Sequence, residues 1–335
     1  MREQSRVVFI TRNIPEAGMR LLRSFDVRIN SHDRQLNRRE LFAGVKGADA
    51  VITQLVDKVD ADFFAVNPNL KIVSNYAVGY DNIDIPLATK LGIPVTNTPG
   101  VLVETVADYA VALILTCARR IVEADRYIVS GKYKGWDPGL MIGMELKGKT
   151  VAIIGMGRIG FQTAKRLKNG FDMKIVYVDE RINEEAEREL GARRMPLDEA
   201  LRTADIVSLH VPLLTSSRHL IGAKQLAMMK PTAILINTAR GAVVDEEALA
   251  KALLKKKLFA AGIDVFEHES KIHPLLKRLP NAVVTPHIAS ATKEAREEMA
   301  RLACQAVVDV FRGRQPDNIV NPEAWEKKRK GGGRL

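Results

Sequence analysis

Three segments rich in chemically useful side chains follow three successive apolar runs of the chain. Arg240 comes after AILINT, the acid-rich stretch FEHES after AAGIDV, and His287 ends AVVTPH. A guanidinium can hold a carboxylate or polarise a carbonyl, and an imidazole can exchange a proton near neutral pH. A carboxylate next to an imidazole favours its charged form and fixes its tautomer. These residue types predict general acid–base chemistry at the ends of three strands.

A second motif predicts a dinucleotide site. GMGRIG directly follows the apolar run TVAII and begins a helical pattern. Gly155 allows a tight turn, Gly157 lets the backbone approach a pyrophosphate, and Gly160 lets the helix pack on the strand. The first N–H groups of the helix, at Arg158 and Ile159, would face the phosphates.

The acid after the next apolar run bears on the choice of cofactor. Asp179 ends KIVYVD, where a carboxylate can accept hydrogen bonds from the adenosine ribose and would repel the extra phosphate of NADP. Its neighbours Glu180 and Arg181 complete the predicted contacts, although Arg181 could offset the repulsion. We therefore expect NAD, with NADH preferred over NADPH. The alternative is that Asp179 only caps a helix beginning near Asn183.

Short β-branched runs alternate with amphipathic helical stretches along the whole chain, a pattern typical of parallel sheets covered by helices. The pattern predicts two doubly wound α/β domains with the active-site cleft between them. One series of strands is predicted at 7–11, 26–30, 49–53, 71–77 and 93–97, and a second at 150–155, 174–179, 205–211, 233–238, 260–265 and 282–287.

The segments outside these series set the predicted domain boundaries. One long helical segment is expected over about 101–131, and another helix over about 292–311, followed by an irregular end. A helix without a sheet of its own must cover another apolar face, so the last helix is assigned to the first domain. The predicted domains are 1–99 with 289–335, and 100–288.

Composition excludes several classes of protein. The chain has 335 residues, 46% of them hydrophobic and 27% charged, and no apolar run long enough for a membrane span, so a cytoplasmic globular protein is expected. The net charge of +11 is spread among 40 acidic residues, and aromatics are only 5%, which argues against nucleic acid as a partner. The basic tail at 327–334 is expected to be solvated, with a charged partner as the alternative. Cys117 and Cys304 are read as buried thiols, and no metal site is expected.

Seven ordered motifs resemble the D-isomer-specific 2-hydroxyacid dehydrogenases. They are NYAVGYDNID, TPGVLVETVAD, GMGRIG with its distant Asp, HVPLLTSSRHLI, INTARGAVVDEEAL, GIDVFEHE and TPHIASAT, and the resemblance covers about residues 45–320. Within the family, the first two motifs look most like the glyoxylate/hydroxypyruvate reductases. The resemblance implies NAD(H)-dependent reduction of a small 2-oxo acid to the D-2-hydroxy acid, with glyoxylate as the first substrate and hydroxypyruvate as the second.

The resemblance also assigns roles. Arg240 would bind the substrate carboxylate and carbonyl oxygen, and His287 would donate a proton to that oxygen. Glu269 would hydrogen-bond His287 and keep it protonated. The backbone amides of Val78 and Gly79 would hold the carboxylate. The positions that would line the nicotinamide side of the cofactor are Thr105, His210, Val211, Pro212, Thr238 and Asp264. Ala239, Arg240 and His287 would also contact the cofactor.

Other residues of these motifs receive weaker roles. Glu267 is expected to be solvated, His268 to be an ordinary surface residue, and Ser270 stands where the family usually has proline. Trp136 could pack in a core, or could shape the substrate site of a partner subunit, because the long helix before it forms the dimer contact in this family. A homodimer is therefore expected.

Three alternatives stay open. Phosphoglycerate dehydrogenase is the main rival within the family, and D-lactate dehydrogenase is a weaker one. From a different class, an NAD(H)-sensing corepressor of the same family would retain the same residues. The match of 75–108 to the reductases argues against the corepressor.

Overall fold

The computed structural model describes residues 6–32, 34–269 and 271–330. The chain forms two compact units, one made of the chain up to Leu102 together with the chain from Ala291, and the other of Val103–Ser290. The crossings were expected after residues 99 and 288, and they fall within a few residues of those positions.

The first unit is built on a five-stranded parallel sheet in the order β2-β1-β3-β4-β5. Its strands are β1 (Val7–Ile10), β2 (Asp26–Ile29), β3 (Ala50–Thr53), β4 (Ile72–Asn75) and β5 (Val95–Thr96). The central strands β3 and β4 are buried along their whole length, as expected for a sheet covered on both faces. This order is a doubly wound one, so ligands are expected beyond the carboxyl ends of the strands.

Four helices of the first unit lie between these strands: α1 (Glu16–Met19, continued by a 3-10 turn at Arg20–Leu22), α2 (Arg38–Val45), α3 (Ala61–Val66) and α4 (Ile85–Leu91). Side-chain caps define where α2, α3 and α4 begin. Asn37 and Glu40 form a reciprocal capping box on α2, and Asp60 and Asp84 each accept a backbone N–H in the first turn of their helix.

The segment expected to be one long helix is two helices, so that prediction was wrong. They are α5 (Val103–Ala118) and α6 (Ile121–Val129), and Arg120 between them has a φ of 53°. The carbonyl of Ala118 accepts a hydrogen bond from the Met144 N–H at 2.8 Å, which uses an acceptor that a continuous helix would need. Arg120 then forms a two-pronged ion pair with Glu123 in the first turn of α6.

The second unit contains a seven-stranded parallel sheet in the order β12-β11-β10-β9-β6-β7-β8. Its strands are β6 (Thr150–Ile154), β7 (Lys174–Val178), β8 (Arg193–Arg194), β9 (Ile206–Leu209), β10 (Ile234–Asn237), β11 (Ala260–Ile263) and β12 (Ala282–Val284). Between them lie α7 (Arg158–Phe171), α8 (Glu184–Leu190), α9 (Leu197–Thr203), α10 (Ala223–Met228) and α11 (Glu246–Leu254). The predicted fold class, α/β with two parallel doubly wound sheets, is confirmed.

The chain after residue 292 belongs to the first unit. Helix α12 (Lys293–Phe311) lies against β4 and α1, where the Ser74 hydroxyl donates to the Ala303 carbonyl at 2.9 Å. The end of the chain is not irregular as expected. Thr96 and Ile319 form an antiparallel bridge, the Asn321 side chain accepts the Val95 N–H at 2.7 Å, and α13 (Pro322–Lys330) follows. Of the basic tail predicted at 327–334, residues 327–330 belong to α13, and the rest lies outside the described residues.

Among the described residues, no helix combines the length and the apolar character needed to cross a bilayer.

Candidate active site

The sheet order of the second unit brings three predicted catalytic groups to neighbouring strand ends. β10, β11 and β12 pair in parallel and in register, so their carboxyl ends lie side by side. Arg240 follows β10, Glu269 lies in the loop after β11, and His287 follows β12. In an open parallel sheet this is the end at which ligands bind.

His287 and Glu269 are in direct contact. The Nδ1 atom of His287 lies 3.1 Å from Oε1 of Glu269, and the two side chains are 23% and 34% exposed. With Nδ1 facing the carboxylate, Nε2 is the ring nitrogen left for a substrate. The structure thus joins two residues that are 18 positions apart in the sequence.

The backbone that carries His287 is in the left-handed region, with φ at 55°, which a non-glycine residue adopts only when its surroundings stabilise it. Asp264 supplies that support. Its fully buried carboxylate accepts the Thr285 hydroxyl at 2.6 Å and the N–H groups of Ile288 and Ala289 at 3.0 and 2.8 Å. Both oxygens of Asp264 therefore hold the turn around His287.

Tyr109 on α5 extends this network and was not picked out from the sequence. Burial raises the pKa of Tyr109, while the nearby Thr285 hydroxyl lowers it and the Asp264 carboxylate raises it. A helical tyrosine among apolar neighbours gives no sign that its hydroxyl reaches a catalytic turn.

Arg240 sits on a turn held by Asn237, the last residue of β10. The Asn237 side chain donates to the Arg240 carbonyl at 2.9 Å and accepts the Ala239 N–H at 3.0 Å. Arg240 is half-buried, and its Nη1 donates to the Ala239 carbonyl at 2.8 Å. The guanidinium is therefore attached to a rigid strand end, as a group that binds an anion should be.

Glu267 is not solvated, so that prediction was wrong. Its side chain is only 17% exposed, and Oε1 lies 2.8 Å from both Arg218 Nη2 and His219 Nε2. His268 next to it is exposed, as expected of a surface residue. Ser270, where relatives carry proline, lies outside the described residues.

The glycine motif has the geometry that a pyrophosphate site requires. Gly155 has φ at 95°, and a Cβ there would lie 2.8 Å from the His210 carbonyl oxygen. A Cβ at Gly160 would lie 2.1 Å from the Gly155 carbonyl oxygen. Apart from its chain neighbours, no described residue has an atom within 4 Å of the place a Cβ of Gly157 would take, which leaves space for a ligand before the N-terminus of α7.

Asp179 does not cap α8, because Asn183 fills that role by accepting the Ala186 N–H at 2.9 Å. The Asp179 carboxylate instead accepts the Met156 N–H at 2.8 Å and the Arg181 N–H at 3.2 Å. It is thereby held beside the glycine turn, while the side chains of Glu180 and Arg181 are exposed. The position fits a contact to an adenosine ribose.

Two polar side chains on the same sheet end fit a bound cofactor. The Thr238 hydroxyl is buried and has no hydrogen-bond partner among the described residues, as expected of a group whose partner is a ligand. His210, in the predicted HVP wall with Val211 and Pro212, contacts the Ser208 hydroxyl at 2.9 Å. Burial lowers the pKa of His210 to about 4, so its imidazole is neutral at pH 7 and is a poor proton donor.

The predicted carboxylate nest lies in the first unit, in the loop after β4. Three successive carbonyls there are already bonded within the unit: the Ala77 carbonyl to the Thr98 N–H, the Val78 carbonyl to the Asn97 side chain, and the Gly79 carbonyl to the Asn75 side chain, at 2.9, 2.7 and 2.8 Å. A trans peptide directs its N–H away from its carbonyl. The N–H groups of Val78 and Gly79 therefore point away from these partners.

Two polar groups of the first unit border this loop and lack partners. The Thr98 hydroxyl and the Gln54 side-chain nitrogen are buried without a hydrogen bond to any described residue. Thr98 bonds Ala77 through its backbone, and the Gln54 carbonyl accepts the Asn82 side chain at 3.2 Å. Buried polar atoms without partners are rare, and they cluster where ligands bind.

For the predicted positions Trp136 and Thr105, the structure gives the degree of exposure. Trp136 is 85% exposed, which excludes the core-packing interpretation. Thr105 is half-buried in the first turns of α5. No cluster of potential metal ligands occurs among the residues that the structure describes.

Comparison with known proteins identifies the class of this site. Residues 111–289 match the model of the D-isomer specific 2-hydroxyacid dehydrogenase NAD binding domain. The chain belongs to this family, and the resemblance inferred from the sequence motifs is confirmed.

Individual relatives agree along nearly the whole chain. A glyoxylate reductase of Thermococcus litoralis is 49% identical over 94% of this chain and 97% of its own length. A crystal structure of a Thermus thermophilus protein superposes with a TM-score of 0.87 at 41% identity, covering 94% of this chain and 99% of that one. An NADPH-dependent glyoxylate/hydroxypyruvate reductase of Sinorhizobium meliloti, solved with NADP and malonate, gives a TM-score of 0.82 at 29% identity, covering 96% and 98%.

Proposed function

We propose that this protein is a glyoxylate reductase that uses NADH to reduce small 2-oxo acids, with glyoxylate as the first substrate and hydroxypyruvate as the second. The observation that supports this most directly is the 3.1 Å contact between His287 and Glu269 at the strand end next to that of Arg240. The relatives named glyoxylate reductases support the choice of substrate.

The chemistry that the nicotinamide supplies when bound is hydride transfer. The protein's own residues orient the substrate and handle the proton. Arg240 binds the substrate carboxylate and the carbonyl oxygen through its planar fork of donors. His287 gives the proton on Nε2 to that oxygen, and Glu269 stabilises the imidazolium before the transfer. The Val78 and Gly79 N–H groups are proposed as a further group of carboxylate donors.

The glycine turn, Asp179 and the Thr238 hydroxyl would hold the cofactor. The N-terminus of α7 attracts the pyrophosphate, and the Asp179 carboxylate accepts the ribose hydroxyls while repelling a 2′-phosphate. We propose NADH over NADPH on that basis. Replacing Asp179 with serine should reduce the ratio of NADH-linked to NADPH-linked kcat/KM. An unchanged ratio would mean that other groups set the preference.

The direct test is an assay of NADH and NADPH oxidation with glyoxylate, hydroxypyruvate, pyruvate and phosphohydroxypyruvate. The highest kcat/KM is expected with glyoxylate. A preference for phosphohydroxypyruvate would favour phosphoglycerate dehydrogenase, and a preference for pyruvate would favour D-lactate dehydrogenase. Failure with all four, despite cofactor binding, would favour a corepressor-like binding protein.

We also propose a homodimer. The segment after α5 exposes apolar side chains that a monomer would leave in water: Ile121, Ile128, Val129, Tyr133, Trp136 and Ile142 are 51–85% exposed. Light scattering should give twice the chain mass. If Trp136 shapes the partner's substrate site, Trp136→Ala should change the preference between glyoxylate and hydroxypyruvate, and an unchanged preference would remove that role.

The cellular location is proposed to be the cytoplasm. Cys117 and Cys304 are both buried and unpaired, and burial raises the pKa of each thiol to about 12. Such thiols are inert packing groups, a state that suits a reducing compartment.

A further inference from the structure

The loop that carries Glu269 is fastened at both ends by a second acid. The Glu246 carboxylate, in the first turn of α11, accepts the N–H of Glu267 at 3.0 Å through one oxygen and the N–H of His273 at 2.5 Å through the other. One side chain thus bridges the start and the finish of the 267–273 loop. Asp245 caps the same helix and leaves Glu246 available for the loop.

The side chain of Glu267 fastens the same loop to the segment after β9. Its Oε1 atom lies 2.8 Å from both Arg218 Nη2 and His219 Nε2, and the side chain is only 17% exposed. Arg218 and His219 belong to the segment that begins with the HVP wall. That segment is itself held to the strand end of Arg240, because the His219 N–H donates to the Ala242 carbonyl at 2.8 Å.

The residue after Arg240 completes the connection. At Gly241 a Cβ would lie 1.8 Å from the Phe266 carbonyl carbon and 2.4 Å from the Glu267 nitrogen, so the two backbones are in direct contact. Any side chain at position 241 would push away the loop that carries Glu267 and Glu269. The loops after β9, β10 and β11 are therefore locked together at Glu267.

We propose that Glu267 is a positioning residue that sets the place of Glu269 against His287. This inference rests on the proposed function, because it assumes that the Glu269–His287 pair handles the proton. Glu269 is exposed. Without a restraint on its backbone, the mobility of its side chain would break the contact with His287. The contacts to Arg218 and His219 hold the backbone two residues before Glu269, and the Arg218 guanidinium balances the negative charge of Glu267.

The test is the pH dependence of kcat/KM for glyoxylate reduction by NADH. Glu269→Gln should move the alkaline limit of activity down by about one pH unit, since the imidazolium loses its carboxylate. Glu267→Ala should move the limit in the same direction by about half as much and lower kcat about tenfold through misplacement. The KM for glyoxylate should change less than about twofold, because the turn of Arg240, the proposed substrate-binding group, is held separately by the Asn237 side chain.

Three comparisons separate positioning from general damage. Glu267→Gln keeps an acceptor oxygen and should recover most of the kcat. The double variant Glu267→Ala/Glu269→Gln should have the pH profile of Glu269→Gln alone, because both act through one contact. Glu247→Gln, which removes an exposed ion pair of α11 with Lys251, is the matched control and should leave the profile unchanged.

A folded Glu267→Ala protein with the unaltered pH profile would overturn the proposal, and so would additive effects in the double variant. Should Glu267→Ala fail to fold by circular dichroism, Arg218→Gln removes one exposed partner and should give a smaller shift in the same direction; no shift would again overturn the proposal. A Glu269→Gln profile identical to that of the unaltered protein would instead refute the proposed catalytic pair.

Discussion

The loop ends of the two sheets differ in the groups they offer a ligand. After β4 of the five-stranded sheet, the loop has backbone N–H groups at Val78 and Gly79, whose peptides are held by the Thr98 N–H and the Asn97 side chain. After β10 and β12 of the seven-stranded sheet, the groups are the charged or ionisable side chains of Arg240 and His287. In the proposed function, the first end binds a fixed charge and the second moves a proton.

The difference matters because neutral and ionisable groups respond to different perturbations. A nest of N–H groups has the same hydrogen-bonding capacity at any moderate pH, and it depends on backbone orientation. A proton donor depends on its partner carboxylate and on pH. Substitutions at the first end should therefore act mainly on KM, and substitutions at the second mainly on kcat and its pH dependence.

The largest effect is expected from removing His287, the proposed proton donor. His287→Asn should lower kcat for glyoxylate reduction by roughly 10²–10⁴-fold, the usual range for a general acid, while NADH still binds. Steady-state kinetics and NADH fluorescence measure the two quantities. The exposed neighbour variant His268→Asn is the control and should keep near-full activity. Equal losses in both variants would refute the assignment of His287.

The next largest effect is expected from changing Arg240, at the same end of the seven-stranded sheet. Arg240→Lys keeps the charge but loses the planar fork, so kcat/KM for glyoxylate should fall roughly 10²-fold. Stopped-flow kinetics over a range of glyoxylate concentrations would show the loss. A fall of less than about threefold would mean that the guanidinium does not contact the substrate.

The backbone nest should respond more weakly and in KM. Asn97→Leu removes the donor that holds the Val78 carbonyl, and the KM for glyoxylate should rise about tenfold, the value of one hydrogen bond. The kcat should stay within about twofold. Asn69→Leu, at an exposed position of the same unit, is the control. A loss in kcat with an unchanged KM would contradict the division of labour between the two sheets.

The smallest expected effect is on the free energy of unfolding, through the titration of His210 in the second unit. Because burial lowers the pKa of His210 to about 4 from its usual 6.5, only the unfolded chain takes up the proton between these values. Stability should therefore fall as pH falls, by about 1 kcal/mol between pH 6.5 and about pH 5.5. Urea unfolding measures this slope. In His210→Gln the fall should be shallower, and an identical slope would show that other groups cause it.

The fold class and the ionisable part of the site could be predicted from the sequence, because alternating apolar runs and rare side chains at strand ends leave a pattern. The edge strand Arg193–Arg194 was missed because its two arginines carry no apolar signal. The break at Arg120 was missed because it depends on a hydrogen bond from Met144, 24 positions away. Glu267 was misread because its partners, Arg218 and His219, lie in another loop.

The N–H groups of Val78 and Gly79 show a second limit on what a single sequence can predict. Neither Val78 nor Gly79 has a side chain that suggests binding, so only the family resemblance indicated them. Their N–H groups are oriented through the carbonyls that precede them. The Ala77 carbonyl accepts the Thr98 N–H and the Val78 carbonyl accepts the Asn97 side chain, from residues 21 and 19 positions further along the chain. Backbone function of this kind leaves no periodic signal in one sequence.

The bridge between Thr96 and Ile319, with the Asn321 side chain bonded to the Val95 N–H, has a consequence for biosynthesis. A ribosome makes the five strands of the first sheet long before it makes α12, which covers β4, or Asn321. The continuous second unit can complete its core while those strands still wait for their cover. The first unit can therefore complete its core only after its last contributing residues are made, although its strands are the first to be synthesised.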